Sequence, residues 1–300
     1  MDWKSKFIKY KNKYGNKKWF LFLYNLIYNI RKDEVTAIGA QLTYYLILSI
    51  FPFLIFFLNV VGHTSLAIEA LLNDWIIVMP SETQTLLYRV IEEIRVSSSE
   101  TLLSFSIILA LWSGSLGISA IIRAINKAYN INKRRNYIRL KLLSLLFTIA
   151  LVILLLIVLA TLVFGEVIGN AIFTYIGAIN VFYRIWNNSR KLIALASMII
   201  IFALLYKYSI MPKERRYIKL VHTLPGAIFA TIGWIVASSI FSFYVNNFAN
   251  YSKTYGSLGG VIVLLVWLYI TSIMIVLGGE INGTYASLFI SGKGKEQKRK

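Results

Sequence analysis

Near the C-terminal end of the chain, residues 255–283 read YGSLGGVIVLLVWLYITSIMIVLGGEING, an apolar run that carries one carboxylate, Glu280, and an amide, Asn282. An ionisable group is costly in hydrocarbon, so one placed there needs a partner or a hydrated surrounding. A second polar line runs through LWSGSLGISAIIRAIN at 111–126. Ser115, Ser119, Arg123 and Asn126 recur there at spacings of four, four and three, which a helix gathers onto one stripe. A third set stands in AIGAQLTYYLILSIFPFLIFF at 37–57, where helical spacing brings Gln41, Tyr45, Pro52 and Asn59 close to one side with Tyr44 and Ser49 flanking. The chemistry these types can do is recognition. A guanidinium and a carboxylate make a charge-assisted pair, and hydroxyls and amides around them can hold a charged group.

Turnover chemistry finds little support. A hydrolytic metal site needs clustered His, Asp or Glu on neighbouring turns. The two histidines, His63 and His222, fall at opposite membrane edges, and no cysteine exists to act as nucleophile or metal ligand. No HExxH, P-loop, GxSxG or dinucleotide fingerprint occurs. Asp33 and Glu34 are adjacent, so a helix points them apart, and they read as interfacial charges. No cofactor or metal is implied.

The elements that must carry these residues follow from composition. Of 300 residues 57% are hydrophobic and only 15% charged, and the mean hydropathy is +0.65, more apolar surface than a water-soluble domain hides. Windows able to cross roughly 30 Å of hydrocarbon lie near 36–61, 102–123, 142–164, 192–210, 224–245 and 257–280. The predicted fold class is therefore all-α, a polytopic membrane protein of six spans. With both termini in the cytoplasm, 26 of the 32 Lys and Arg fall in cytoplasmic segments and 6 in outer ones, as the positive-inside rule requires. The net charge of +19 is thus a matter of topology, and nucleic acid is not an expected partner.

Around this six-span domain (36–283), residues 1–35 are expected to hold an interfacial helix and 284–300 a basic cytoplasmic tail. In the first, Phe22, Leu23, Leu26, Ile27 and Ile30 form the apolar side opposite Asn25, Asn29 and Lys32. The first outer loop predicts amphipathic helices, with Ser81 and Gln84 as a capping box and Leu87, Val90, Ile91 and Ile94 as an apolar stripe. Residues 171–186 are apolar but short, which predicts an interfacial or re-entrant helix. Small residues at 113–117, 256–260 and 278–283 permit close helix approach, while Pro52, Pro225 and Gly226 are candidate hinges.

Because the second and sixth spans both run inward, Arg123, Glu280 and Asn282 should reach one level, where Gln41, Tyr44 and Tyr45 begin. Glu280 is therefore expected to pair with Arg123 or, failing that, Lys127. Such a pair either locks helices together or borders a polar cavity that receives an ion or charged head group; a third option has Glu280 reaching to water.

Taken together, the 37–57 block, the 111–126 run, LPGAIFATIGW at 224–234 and the terminal Tyr-Gly-Ser-Leu-Gly to Gly-Glu-Ile-Asn block resemble the YihY/BrkB family of bacterial inner-membrane proteins. The resemblance spans nearly the whole chain and implies six helices in the cytoplasmic membrane. The family was long labelled ribonuclease, a label to which the residues above lend no chemistry. Some members are tied to export of lipid A precursors or to serum resistance, which implies handling of lipids or other amphiphiles. The leading expectation is a bundle, not driven by ATP, that binds and moves an anionic amphiphile among membrane lipids. Lys133, Arg134 and Arg135 would assist Arg123 and Lys127 at the surface, and Ser119 and Asn126 would line the site with Gln41, Tyr44, Tyr45 and Asn282. The rival is a scaffold that does not transport and docks a partner through its outer loop; a nuclease ranks last.

Overall fold

A computed structural model describes residues 18–61, 81, 83–85, 88–89, 100–131, 136–153, 175, 179–248 and 258–290. All regular structure among them is helical: α1 Lys18–Lys32, α2 Val35–Val61, α3 Glu100–Ala128, α4 137–153, α5 Ile179–Ser209, the short α6 Pro212–Arg215, a 3₁₀ turn Leu220–Thr223, α7 Leu224–Phe248 and α8 Gly259–Phe289. In α2, α3, α5, α7 and α8 lie stretches long and apolar enough to cross a membrane. Helix is the form that satisfies the backbone there without water. The helix α4 covers the first part of the expected 142–164 span; residues 154–164 lie outside the described set.

Three expectations about boundaries need correction. Helix α8 does not stop near 280 but runs to Phe289, because Asn282, Gly283, Thr284 and Ala286 are all buried against neighbours. Glu280 is thus an interior helical residue, and the segment 284–289 is helix and not tail. Helix α3 passes 123 and ends at Ala128, since Ala124, Ile125 and Ala128 are core positions at 5% exposure or less. Residues 179–186, expected to be interfacial or re-entrant, open the 31-residue α5. Of the outer-loop segment, Ser81 is described and donates its hydroxyl to Asn246 Oδ1 of α7 at 2.7 Å; Leu87, Val90, Ile91 and Ile94 lie outside the described residues.

The centre of the bundle is α8, against which α1, α2, α3, α7 and the 3₁₀ turn pack. Two glycine contacts set its distances. A Cβ on Gly226 of α7 would strike the Gly278 carbonyl oxygen, and one on Gly283 would strike the Ala128 carbonyl oxygen. Helix backbones touch there, the close approach that small residues allow between apolar helices. Polar side chains stitch the interior between elements: Thr43 to Ser272 at 3.2 Å, Ser119 to Ser144 at 2.7 Å, Trp267 to Ser238 at 3.1 Å and Tyr206 to the Ile275 carbonyl at 2.7 Å. Each such bond is worth about 0.6 kcal/mol in a membrane bundle, so register comes from their number more than from any one.

Two tight turns bring the polar end together. Between α1 and α2, Glu34 takes φ +57°, which reverses the chain and turns Asp33 inward to 2% exposure. At the end of α3, Asn130 takes φ +54°; its N–H bonds Lys127 O, and Ile131 N–H bonds Asn126 O at 2.9 Å. That bond pair closes a helix through a left-handed residue and uses up its last carbonyls. Helix α1 turns its Asn29 side toward α8, where the amide donates to Thr284 Oγ1 at 3.2 Å, while Trp19, Leu23 and Ile27 remain exposed on the other.

Candidate functional site

Glu280 is 1% exposed, and neither of its carboxyl oxygens has a hydrogen-bond partner among the described residues. Three charged groups lie close enough to act on it: Asp33 from the α1–α2 turn, Lys127 from the last turn of α3, and Lys32 from the end of α1. Asp33 also keeps one carboxyl oxygen, Oδ2, buried without a partner among those residues. The lysines' hydrogen bonds among the described residues go elsewhere. Lys127 Nζ donates to the Asp33 main-chain carbonyl at 2.8 Å, and Lys32 Nζ donates to Asn130 Oδ1 at 2.8 Å. Burial pushes the Asp33 carboxyl above the ordinary value of 3.8, against the pull of Lys32 and Lys127. The result is two buried acids in each other's field with two ammonium groups beside them. An unpaired buried charge costs several kcal/mol, so a cluster like this is sensitive to every proton it gains or loses.

Arg123 is not part of the cluster, which corrects the expected Arg123–Glu280 salt bridge. The arginine is exposed, and no ion pair joins it to Glu280 among the described residues. Helical drift explains its exposure. At 3.6 residues per turn, a spacing of four advances about 40°, so Arg123 lies roughly 80° from Ser115 whereas Asn126 lies about 20° from it. Arg123 therefore leaves the buried stripe and faces outward on the side of Trp112, which is 54% exposed. Lys127, the expected alternative partner, is the α3 cation that acts on Glu280.

The remaining expected site residues divide into two groups. Ser119, Asn126 and Asn282 are buried, but as clamps between elements. Ser119 bonds Ser144. Asn126 donates to Ile122 O and Ser209 O and accepts from Met211 N–H, which ties α3 to the end of α5. Asn282 accepts from Gly226 N–H at 2.8 Å and donates to Thr223 O at 3.0 Å, holding the start of α7. Gln41 and Tyr44 face outward, Tyr44 at 62% exposure, and Tyr45 is half-buried toward Gly117 of α3. They do not join Glu280, because that level of α2 turns Leu42 and Thr43 inward. Of the candidate hinges, Pro52 lies inside the continuous α2. Pro225 and Gly226 open α7, where the Gly226 backbone is pinned by Asn282.

Asp33 is the residue that reading the sequence as an interface missed. Its signal was its position: it follows the last turn of α1 and precedes an apolar span, so any turn that folds α1 back on the bundle buries it. Tyr206, 0% exposed and bonded to Ile275 O, carried no signal beyond being a tyrosine in an apolar span.

A family model described as "Virulence factor BrkB" matches residues 26–300. A Bacillus subtilis (strain 168) protein, YfkH, whose name calls it ribonuclease-like, is 40% identical over 261 residues, covering 87% of this chain and 94% of that protein. A membrane protein of Alteromonas mediterranea is 33% identical over 110 residues, 37% of this chain and 36% of its own. One from Chlorobium luteolum is 36% identical over 93 residues, 31% of this chain and 21% of its own. No solved structure matches. With the helical bundle and its apolar spans, the match over residues 26–300 establishes the assignment: the chain is a bacterial membrane protein of the BrkB family.

Proposed function

We propose that the protein is a transporter of the cytoplasmic membrane that moves an anionic amphiphile, with proton uptake and release at the Glu280–Asp33 pair as its coupling step. One observation carries this reading: Glu280 is 1% exposed, in the interior of α8, with both carboxyl oxygens unpartnered among the described residues. Ionisable groups inside spans mark ion and proton paths by default, because nothing else offsets their cost. The charged groups that act on it from the elements around α8 are Lys32 and Asp33 from α1 and its turn and Lys127 from α3. Gly226 of α7 packs against Gly278 and Asn282, and Glu34 of the turn is exposed. The substrate class follows from the basic residues at this end, which attract anionic head groups.

A proton carried down one pH unit supplies about 1.4 kcal/mol, enough to shift a two-state equilibrium tenfold. The test is movement of a fluorescent phosphatidylglycerol across proteoliposomes under an imposed pH gradient. Movement that follows the gradient, and loses that dependence in a folded Glu280→Gln variant, supports the reading. Lack of movement at any gradient, or a Glu280→Gln variant as gradient-dependent as wild type, overturns it. The ribonuclease-like name of the Bacillus relative suggests nuclease activity. Against it, the two carboxylates here are buried at 1% and 2% exposure, out of reach of a phosphodiester.

A further inference from the structure

Between α4 and α5 lies an apolar groove of about 310 Å³, walled by Leu146, Phe147, Ala150 and Leu204. Its two polar lining residues, Tyr208 and Arg215, stand where α5 ends, the same end of the bundle as Glu280. The Arg215 guanidinium lies 5.3 Å from the Tyr208 ring centroid, and the Lys207 ammonium lies 5.6 Å from the same ring. Stacking leaves the edge N–H groups of a guanidinium directed outward. No hydrogen bond or ion pair engages either cationic group among the described residues. Residues 206–220 hold five basic residues against one acid, Glu214. Two further grooves, one beside Phe53 and Thr148 and one beside Tyr44 and Leu265, have no charged residue in their linings.

From Ile201 to Tyr208 the groove follows α5 for about 10 Å, open along its side and therefore accessible from within a bilayer. An apolar trough that ends in the Arg215 guanidinium, with the Lys207 ammonium on the same tyrosine ring, is complementary to one kind of molecule. We propose that this groove binds one anionic phospholipid, with an acyl chain along Leu146, Phe147, Ala150 and Leu204 and the phosphate on Arg215 and Lys207. Tyr208 holds the guanidinium over the trough end, so the charge is placed before the lipid arrives. Binding here is independent of whether the protein moves lipid, so loss of flux with binding intact counts against transport alone.

The test uses the full-length protein in neutral detergent, titrated with phosphatidylglycerol, phosphatidylcholine or inorganic phosphate and read by native mass spectrometry. Phosphatidylglycerol should bind at least about tenfold more tightly than phosphatidylcholine, and Arg215→Gln should remove that preference. Ala150→Trp, on an exposed part of the groove wall, should weaken both lipids with the melting temperature unchanged. Equal affinity for the two lipids overturns the site, as does displacement of the lipid by inorganic phosphate at comparable concentration. So does an Ala150→Trp variant that binds like wild type. If Arg215→Gln does not fold, Ala150→Trp and the comparison of the two lipids still decide.

Discussion

The Lys127 ammonium donates to the main-chain carbonyl of Asp33 at 2.8 Å and so fixes the turn that buries the Asp33 carboxyl beside Glu280. One side chain from α3 thereby ties together the start of α2 and the acidic interior of α8. Removing it should do more than break one bond. Lys127→Met is expected to lower stability by about 1.5–3 kcal/mol, the worth of a hydrogen bond from a charged donor. The loss should shrink when Glu280→Gln is present, since the lysine then has one less charge to offset. Denaturation midpoints of the two single variants and the double variant measure this, and strict additivity would refute the coupling.

Arg123 offers the converse. Exposed and unpaired with Glu280, it should tolerate Arg123→Ala within about 0.5 kcal/mol, as surface positions do. A loss several times larger in the same unfolding assay would restore the salt bridge that the geometry denies.

The junction of α7 and α8 should be intolerant. Gly226→Ala places a methyl against the Gly278 carbonyl oxygen and the Asn282 amide, which are backbone and buried side chain, so neither can yield cheaply. Overpacking of this kind typically costs 1–3 kcal/mol, and more where backbone must move. Asn282→Leu strands Gly226 N–H and Thr223 C=O, at about 1–3 kcal/mol for each buried group left unpaired. Yield of monodisperse protein and thermal midpoint should fall for both, and near-wild-type values would show that this contact does not hold the bundle.

The pH dependence of stability has a definite sign at Asp33. Burial raises its folded-state pKa above 3.8, so between that value and the folded one the native state holds more proton than the unfolded chain. Stability then falls as pH rises through this window and levels off once the folded pKa is passed. Asp33→Asn should be flatter over the same range, and the difference between wild type and variant in melting temperature against pH isolates the group. A wild type that gains stability relative to Asp33→Asn as pH rises from 3.8 would contradict the burial.

The stitch between Ser119 and Ser144 should contribute modestly. Ser119→Ala is expected to cost about 0.6 kcal/mol, and Ser144→Ala no more than that in its presence, because the bond is already lost. Double-mutant cycles on unfolding in detergent read this directly.

Much of the architecture could be read locally. Hydropathy summed over some 20 residues depends only on neighbours in the chain, so the expected windows at 36–61, 102–123, 192–210, 224–245 and 257–280 each overlap one of the long apolar helices. The family blocks at 37–57, 111–126 and 255–283 are local in the same way. Helix ends were less legible: whether α8 passes Glu280 depends on α1 covering its last turns, which no window of α8 contains.

The site was legible only as an inventory. An acid in the last span and a cation on the second were visible, but which cation acts on the acid depends on where the α1–α2 turn docks: it meets Lys127, one turn beyond Arg123, through the Asp33 carbonyl. Asp33 was marked only by its position between α1 and an apolar span, since its burial comes with a left-handed Glu34 at the turn that brings α1 onto α8. Which segments enter the membrane is thus written in the chain, because partition into hydrocarbon acts on each stretch separately. Which charges meet there was settled only by tertiary packing, because it depends on the rotation of several helices about their axes at once.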